Sequence, residues 1–124
     1  MDVAKKILVY DSQHGFSRFL TKQFGNDHEL KIFKKFTQED DFSELTHDFT
    51  MIFFMLYSTE DLFDFLRIYR KKVPVTVCSY NPEILKRISK ISDIMVMDVS
   101  RAKTELVHGF NLILYPSADK TIRL

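Results

Sequence analysis

The sequence predicts one α/β domain, a three-layer α/β/α sandwich built around a parallel sheet. Five apolar segments recur along the 124 residues, with helical patterns between them. They run from Lys6 to Tyr10, Leu30 to Phe33, Met51 to Leu56, Val75 to Cys78 and Ile94 to Met97. The first, third and fourth are almost continuously apolar, which is typical of strands covered on both faces of a parallel sheet. Strand–helix alternation repeated in this way predicts a sandwich with right-handed crossovers.

The segments between the strands carry helix signals. A first helix has four apolar residues on one face and ends at Gly25: Phe16, Phe19, Leu20 and Phe24. A short second helix is expected around Phe42 and Leu45, within the acidic stretch from Glu39 to Glu44.

Two later helices have clear starting signals. Ser58 to Asp61 supplies an N-cap followed by acids, which suit the positive end of the helix dipole, and the helix ends in the cations of residues 70–72. Asn81 followed by Pro82 gives a cap and a proline at the first helical position.

The last helix is expected to begin at Ser100 as its cap. Its inward residues would be Leu106, Val107, Phe110 and Ile113. Residues 111–115 are also compatible with an added strand, although helix is favoured. The predicted domain covers residues 1–115, and residues 116–124 form a C-terminal tail.

Composition excludes several classes of function. The net charge of +1 gives no basic surface for nucleic acid. Cys78 is a single cysteine, so neither an internal disulfide nor a cysteine metal site is expected. No apolar run approaches the roughly 20 residues of a membrane span, and the residues printed before the first strand contain no apolar signal region. We therefore expect a cytoplasmic protein that binds neither nucleic acid nor membrane.

Ligands of open parallel sheets bind at the carboxyl ends of the strands. These positions here are Asp11–Gly15, Met55–Ser58, Ser79–Asn81 and Met97–Val99. The strands that lead to them resemble those of the CheY-like receiver domain of bacterial response regulators, in Lys6–Asp11, Pro74–Ser79 and Asp93–Met97. The resemblance covers the whole chain in element order and spacing. It implies a flavodoxin-like, CheY-like sheet with strand order 2-1-3-4-5.

The residues of the family's phosphorylation site are only partly present. Asp11 matches one acid of the metal-binding pair, and Ser79 matches the hydroxyl position. The other positions carry Ser12 for the second acid, Met55 for the phosphorylated Asp and Met97 for the Lys, or Asp98 if the alignment shifts by one residue. A thioether cannot replace a carboxylate nucleophile, and Asp11 with one hydroxyl makes a weak magnesium site. The resemblance therefore implies a degenerate pseudo-receiver, with Asp11 as its weak metal candidate.

We expect this module to be non-enzymatic, to stand alone and to act through contact with another protein. Its partner is then an unknown protein or a second copy in a homodimer, and it carries no cofactor. The third predicted helix has more apolar residues than one buried face requires, namely Leu62, Phe63, Phe65, Leu66, Ile68 and Tyr69. Leu112, Leu114 and Tyr115 add apolar groups near the C-terminus. A true receiver phosphorylated at Asp11 is a further hypothesis.

A second interpretation is an FMN-binding electron carrier. The segment Tyr10–Ser17 resembles the flavodoxin phosphate loop, with matches at Ser12, Gly15 and Ser17 and with His14 at the central Thr position. Backbone N–H groups at a helix start can bind a phosphate. Tyr57 and Tyr80 follow strands three and four, where a flavin ring could stack.

Structural roles compete with these functional ones. Asp11 is equally suited to capping the first helix or bonding to nearby backbone. Ser12 and Ser17 are also read as helix caps, and His14 as an exposed loop residue.

Overall fold

The computed structural model describes residues 4–35, 48–69, 73–91 and 94–115. The strands in these ranges are β1 (Lys6–Tyr10), β2 (Glu29–Phe33), β3 (Met51–Leu56), β4 (Val75–Ser79) and β5 (Ile94–Asp98). The helices are α1 (Gly15–Phe24), α2 (Thr59–Ile68), α3 (Pro82–Ile88) and α4 (Lys103–Leu114). The short helix expected around Phe42 and Leu45, the cations of residues 70–72 and the tail 116–124 lie outside the described residues.

The five strands form one parallel sheet in the order β2-β1-β3-β4-β5, which confirms the predicted sandwich and strand order. Every residue of β3 and β4 is buried, as their continuous apolar runs predict. The edge strands β2 and β5 are only partly covered. The strand order reverses between β1 and β3, so the loops that follow these two strands lie side by side.

Two apolar cores cover the two faces of the sheet. On one face, α1 and α4 pack around the fully buried ring of Phe110, which contacts the rings of Phe16, Phe19, Phe24 and Phe53. On the other face, α2 and α3 cover Tyr10 and Phe54, whose rings stack at 4.2 Å, and α2 contributes the buried ring of Phe65. Within the described ranges, no helix is long and apolar enough to cross a membrane.

The start signals of α2 and α3 are confirmed. Ser58 and Asp61 form a capping box in which each side chain accepts a hydrogen bond from the other residue's backbone N–H. Asn81 accepts hydrogen bonds from the N–H groups of Glu83 and Ile84, and Pro82 occupies the first helical position. Each such cap is worth about 1 kcal/mol.

The predicted start of α4 is wrong. The helix begins at Lys103 with Ala102 as N-cap, and no side chain caps it. The Ser100 hydroxyl donates to Asp98 Oδ1 at 2.6 Å, and the residue lies two positions before the N-cap, in the turn that follows β5. Residues 111–114 are helical rather than a strand.

The expected inward face of α4 is largely confirmed. Leu106, Phe110 and Leu114 are buried, and Val107 and Ile113 pack against the same core. Leu114 therefore adds nothing to the surface, whereas Leu112 is 39% exposed.

Candidate functional site

The carboxyl ends of β1, β3, β4 and β5 meet at one edge of the sheet, called the carboxyl edge below. Strand pairing puts Ser79 level with Leu56 and Asp98. Met55 and Met97 both pair with Cys78, one residue earlier. The predicted receiver-site residues thus fall in two adjacent rows, and Asp98 rather than Met97 stands level with the Ser79 hydroxyl.

Asp11 is the centre of the carboxyl edge. Its side chain is fully buried and accepts three hydrogen bonds. The backbone N–H of Ser17 donates to Oδ2 at 2.7 Å, while the N–H of Gln13 and the hydroxyl of Tyr57 donate to Oδ1 at 3.2 and 2.7 Å. A carboxylate offers about four acceptor positions, so roughly one is left. Asp11 therefore has a structural role. Its carboxylate caps α1 and connects the start of that helix to Tyr57, the residue after β3.

Tyr57 follows β3 and points back to β1. Burial raises the pKa of its phenol well above the usual value, and the hydrogen bond and charge of Asp11 raise it further. The phenol therefore stays protonated and keeps donating to Asp11. In this arrangement its hydroxyl end lies against the carboxylate, whereas Tyr80, 57% exposed, lies free on the surface.

A second phenol–carboxylate contact lies on the opposite face of the sheet. The Tyr10 hydroxyl donates to Asp64 Oδ2 at 2.6 Å and to Asp61 Oδ1 at 3.2 Å, so the end of β1 is tied to α2. Burial, with the two carboxylates, raises the pKa of Tyr10 strongly. Sequence reasoning missed this contact. Its available signal was the i, i+3 spacing of the two acids, which puts both on one side of the helix.

The proposed phosphate loop is already occupied by protein groups. The Ser17 N–H that would face an anion donates to Asp11, and the Ser17 hydroxyl donates to the carbonyl of His14 at 3.0 Å. His14 has a left-handed backbone, with φ of 69°, and its side chain does not cap α1. A Cβ added at Gly15 would touch nothing within 4 Å, so no close approach demands glycine there. Ser12 is exposed.

Ser79 is buried, and its hydroxyl makes two hydrogen bonds within the protein. Its hydroxyl donates to the carbonyl of Leu56 at 3.0 Å and accepts from the N–H of Asn81 at 3.0 Å. The side chain therefore joins β4 to β3 and starts the turn into α3. Both roles are structural, and no described residue positions a base beside the hydroxyl.

The two methionines of the predicted site belong to the core. Met55 is fully buried. Met97 packs beneath α4, where a Cβ added at Gly109 would lie 2.8 Å from its Cε. Cys78 is equally buried, and burial raises the pKa of its thiol strongly, which disfavours the reactive thiolate. These side chains offer the carboxyl edge no reactive group.

Asp98 is the remaining carboxylate near the surface of this edge. The hydroxyl and the N–H of Ser100 hold its pKa below the usual range. Within the described residues, no three His, Cys, Asp or Glu side chains come together as metal ligands. Among the described residues, this edge is a largely satisfied hydrogen-bond network, and its matches to a receiver site are Asp11 and Ser79.

Comparison with known proteins supports the fold. No protein-family model and no curated protein matches the sequence. A response regulator from Thermotoga maritima superposes with a TM-score of 0.62 at 14% identity, covering 90% of this chain and 98% of the other. The signal receiver domain of a Luxo repressor protein from Vibrio parahaemolyticus gives 0.60 at 11% identity, covering 97% of both chains.

A longer response regulator shows the same similarity. DrrB from Thermotoga maritima, an OmpR/PhoB homologue, gives a TM-score of 0.61 at 15% identity over 93% of this chain. The present chain spans 54% of that protein. At these identities the similarity establishes a CheY-like fold, and functional residues have to be judged from the geometry above.

Proposed function

We propose that this chain is a receiver-like signalling module that works by binding another protein, without an aspartyl-phosphate switch and without catalysis. The supporting observation is the state of Asp11, whose carboxylate is fully buried and already accepts three hydrogen bonds. The solved structures of the same fold are response regulators and receiver domains, which supports signalling as the class of function.

Phosphorylation chemistry needs groups that the carboxyl edge lacks. An aspartyl phosphate forms on an accessible carboxylate, and β3 ends in Met55 and Leu56, both buried. Magnesium prefers several hard oxygen ligands in an octahedral arrangement. Asp11 has roughly one acceptor position left, so it offers a metal ion a single ligand position unless the Tyr57 hydroxyl or the cap of α1 is displaced. The proposal is therefore a pseudo-receiver whose site has become part of its framework.

The outer face of α2 is the proposed contact surface. Phe63 is 61% exposed and Leu66 is 54% exposed, while Phe65 on the same helix is fully buried. Residues three apart lie side by side on a helix, so Phe63 and Leu66 form one apolar patch. Such a patch, which we call the α2 patch, favours burial against another protein, either a different chain or a second copy.

Intact-mass spectrometry after treatment with acetyl phosphate and Mg²⁺ tests the absence of the switch. We expect no phosphoryl adduct, while a competent receiver domain treated in parallel gains one. An adduct that disappears in Asp11→Asn would refute the proposal and support phosphorylation at Asp11.

Capture from lysate tests the α2 patch. The double variant Phe63→Ser, Leu66→Ser is expected to lose any partner or self-association that the parent chain shows. Tyr80→Ser is the matched control, because it removes an aromatic ring of similar exposure, 57%, from a different surface. Equal loss in both variants would contradict an α2 contact.

The proposal includes no resident cofactor and a cytoplasmic location. FMN is the alternative, and native mass spectrometry of the protein purified from cells separates the two. A mass equal to the chain, or to a multiple of it, supports the module. An FMN adduct would favour the electron carrier and would require the Ser12–Ser17 loop to release Asp11.

A further inference from the structure

The amino end of the sheet contains a pocket that the function proposed above does not use. It lies on the α4 face, where the first halves of β3, β4 and β5 meet the last turns of α4 and the residue before β1. Its volume is about 320 Å³. The residues that matter most for its chemistry are Lys5, Met51, Thr76, Met95, Leu112 and Ile113. We call it the amino-edge pocket.

The walls of this pocket are apolar and open to solvent on one side. Met51 is 8% exposed and forms part of the inner wall, while Met95 and Leu112 are 52% and 39% exposed at the rim. Small-molecule sites have volumes of roughly 300 to 1,000 Å³ and combine apolar walls with a few polar groups. The amino-edge pocket lies at the small end of that range.

Two polar groups of the residues that line the pocket have no partner among the described residues. Thr76 is only 3% exposed. Its hydroxyl nevertheless makes no hydrogen bond with a described residue. No described side-chain nitrogen or oxygen is both fully buried and unpaired, so the Thr76 hydroxyl is reached by solvent through the pocket. The Lys5 ammonium has no carboxylate partner in the described ranges.

Lys5 is held in place by its backbone. Its N–H donates to Nδ1 of buried His28 at 2.9 Å, and its carbonyl accepts from the N–H of Glu29 at 2.9 Å. The imidazole Nε2 in turn lies 2.7 Å from the Tyr115 hydroxyl, so the start of β1 is tied to the end of α4. These bonds anchor the Lys5 backbone beside the pocket, and its flexible side chain brings the cation within reach of a bound molecule.

We propose that the amino-edge pocket binds a small amphipathic carboxylate. The alkyl or aryl part packs against Met51, Met95 and Leu112, and the carboxylate pairs with the Lys5 ammonium. A single cation matches a monoanion better than a phosphate, which calls for several donors. The free Thr76 hydroxyl gives the bound molecule one further hydrogen bond. This inference goes beyond the signalling role and does not depend on it.

Methyl-labelled methionine NMR with octanoate as the probe tests the proposal. Met51 and Met95 line the pocket, while Met55 and Met97 lie toward the carboxyl edge and serve as internal references. We expect saturable shifts of the first pair, with half-saturation below about 1 mM, and little change in the second. Octanol, which lacks the charge, should bind about tenfold more weakly.

Two variant pairs separate the carboxylate contact from non-specific binding. Lys5→Met should weaken octanoate binding about tenfold. Lys6→Met should change that affinity less than about twofold, because the Lys6 ammonium lies 3.9 Å from the Glu29 carboxylate instead. Leu112→Glu puts a like charge at the rim and should abolish binding. Its neighbour Asn111→Glu adds the same charge outside the pocket and should not.

Three results would overturn the assignment. They are the absence of saturable shifts, equal shifts of all the methionines, and octanoate binding that survives Lys5→Met unchanged. All four substituted side chains are at least partly exposed, so loss of folding does not explain a negative result, and the spectrum of each variant verifies its fold.

Discussion

The two ends of the sheet differ in whether their polar side chains have hydrogen-bond partners within the protein. At the carboxyl edge, Asp11, Tyr57 and Ser79 all have hydrogen-bond partners within the protein. At the amino end, the Thr76 hydroxyl and the Lys5 ammonium have none among the described residues. Thr76 and Ser79 make the contrast sharpest, because they lie on the same strand and are 3% and 1% exposed.

This difference separates a site that has become structural from one that still offers contacts to a ligand. Groups that bond to each other, as at the carboxyl edge, contribute to folding and have little left for a ligand. Polar groups beside a pocket that is open to solvent bond to water instead, and they can exchange that water for a ligand. The edge that sequence and fold both suggest is therefore the less promising place for a ligand.

The largest expected effect is on stability at the carboxyl edge. Asp11→Ala removes three hydrogen bonds and leaves the Tyr57 hydroxyl and the Ser17 N–H without their acceptor, so the free energy of unfolding should fall by about 3 kcal/mol. Urea denaturation measures it. Asp98→Ala, which removes a carboxylate near the surface of the same edge, should cost no more than about 0.5 kcal/mol. Similar losses in both variants would contradict the structural role of Asp11.

The pH dependence of stability should reveal the two phenols. In the unfolded chain, Tyr10 and Tyr57 ionise near pH 10, whereas their pKa values in the folded protein are raised by burial and by carboxylates. Above about pH 10 the folded state therefore binds more protons than the unfolded state, and stability falls as pH rises, by up to about 1.4 kcal/mol per pH unit for each phenol.

Below pH 10 this contribution is fully present. Unfolding curves at a series of pH values check the slope, and Tyr57→Phe should make it shallower because one phenol is gone. A slope that Tyr57→Phe leaves unchanged would show that the Tyr57–Asp11 contact does not hold its proton.

The hydroxyls of β4 give a smaller, matched comparison. Ser79→Ala should cost about 1.5 kcal/mol, because the N–H of Asn81 then loses its acceptor. Thr76→Val keeps the shape of the side chain and removes a hydroxyl that bonds to nothing described, so it should be neutral or slightly stabilising. Thermal unfolding of both variants decides the matter. A clear loss in Thr76→Val would mean that its hydroxyl has a partner within the protein.

Local sequence signals predicted most of the fold, because strands and helix starts are encoded within a few residues. The apolar runs gave β1, β3 and β4, and the caps at Ser58 and Asn81 started α2 and α3 where expected. The one wrong start among the described helices, at Ser100, arose because the chain passes through a turn before α4 begins at Lys103. The Ser100 hydroxyl bonds to Asp98 within that turn, and no pattern of apolar residues reveals where the turn ends.

The contacts of the candidate site were beyond local reasoning. Tyr57 and Asp11 are 46 residues apart, and Tyr10 and Asp64 are 54 apart. Whether such pairs meet depends on strand register and on the direction in which each side chain points from the backbone. The sequence did show that β3 ends without a carboxylate. It could not distinguish a free Thr76 from a bonded Ser79, because both are small hydroxyl residues in one buried strand.

The smallest expected effect concerns the loop that joins β1 to α1. His14 adopts a φ of 69°, which costs a residue with a side chain about 1 kcal/mol, and its side chain makes no cap to α1. Gly15 has no such φ and no close neighbour. His14→Gly should therefore stabilise the protein by about 0.5 kcal/mol, relief of strain being partly offset by the flexibility of glycine in the unfolded chain.

Two further variants measure how much the left-handed backbone at residue 14 costs in stability. His14→Ala keeps the strained φ and should be less stable than His14→Gly by about 1 kcal/mol, while Gly15→Ala should be tolerated. Chemical denaturation resolves these differences. If His14→Gly lost stability instead, the imidazole would be making a contribution at the carboxyl edge, and the contrast between a saturated edge and an open one would have to include a group that still acts there.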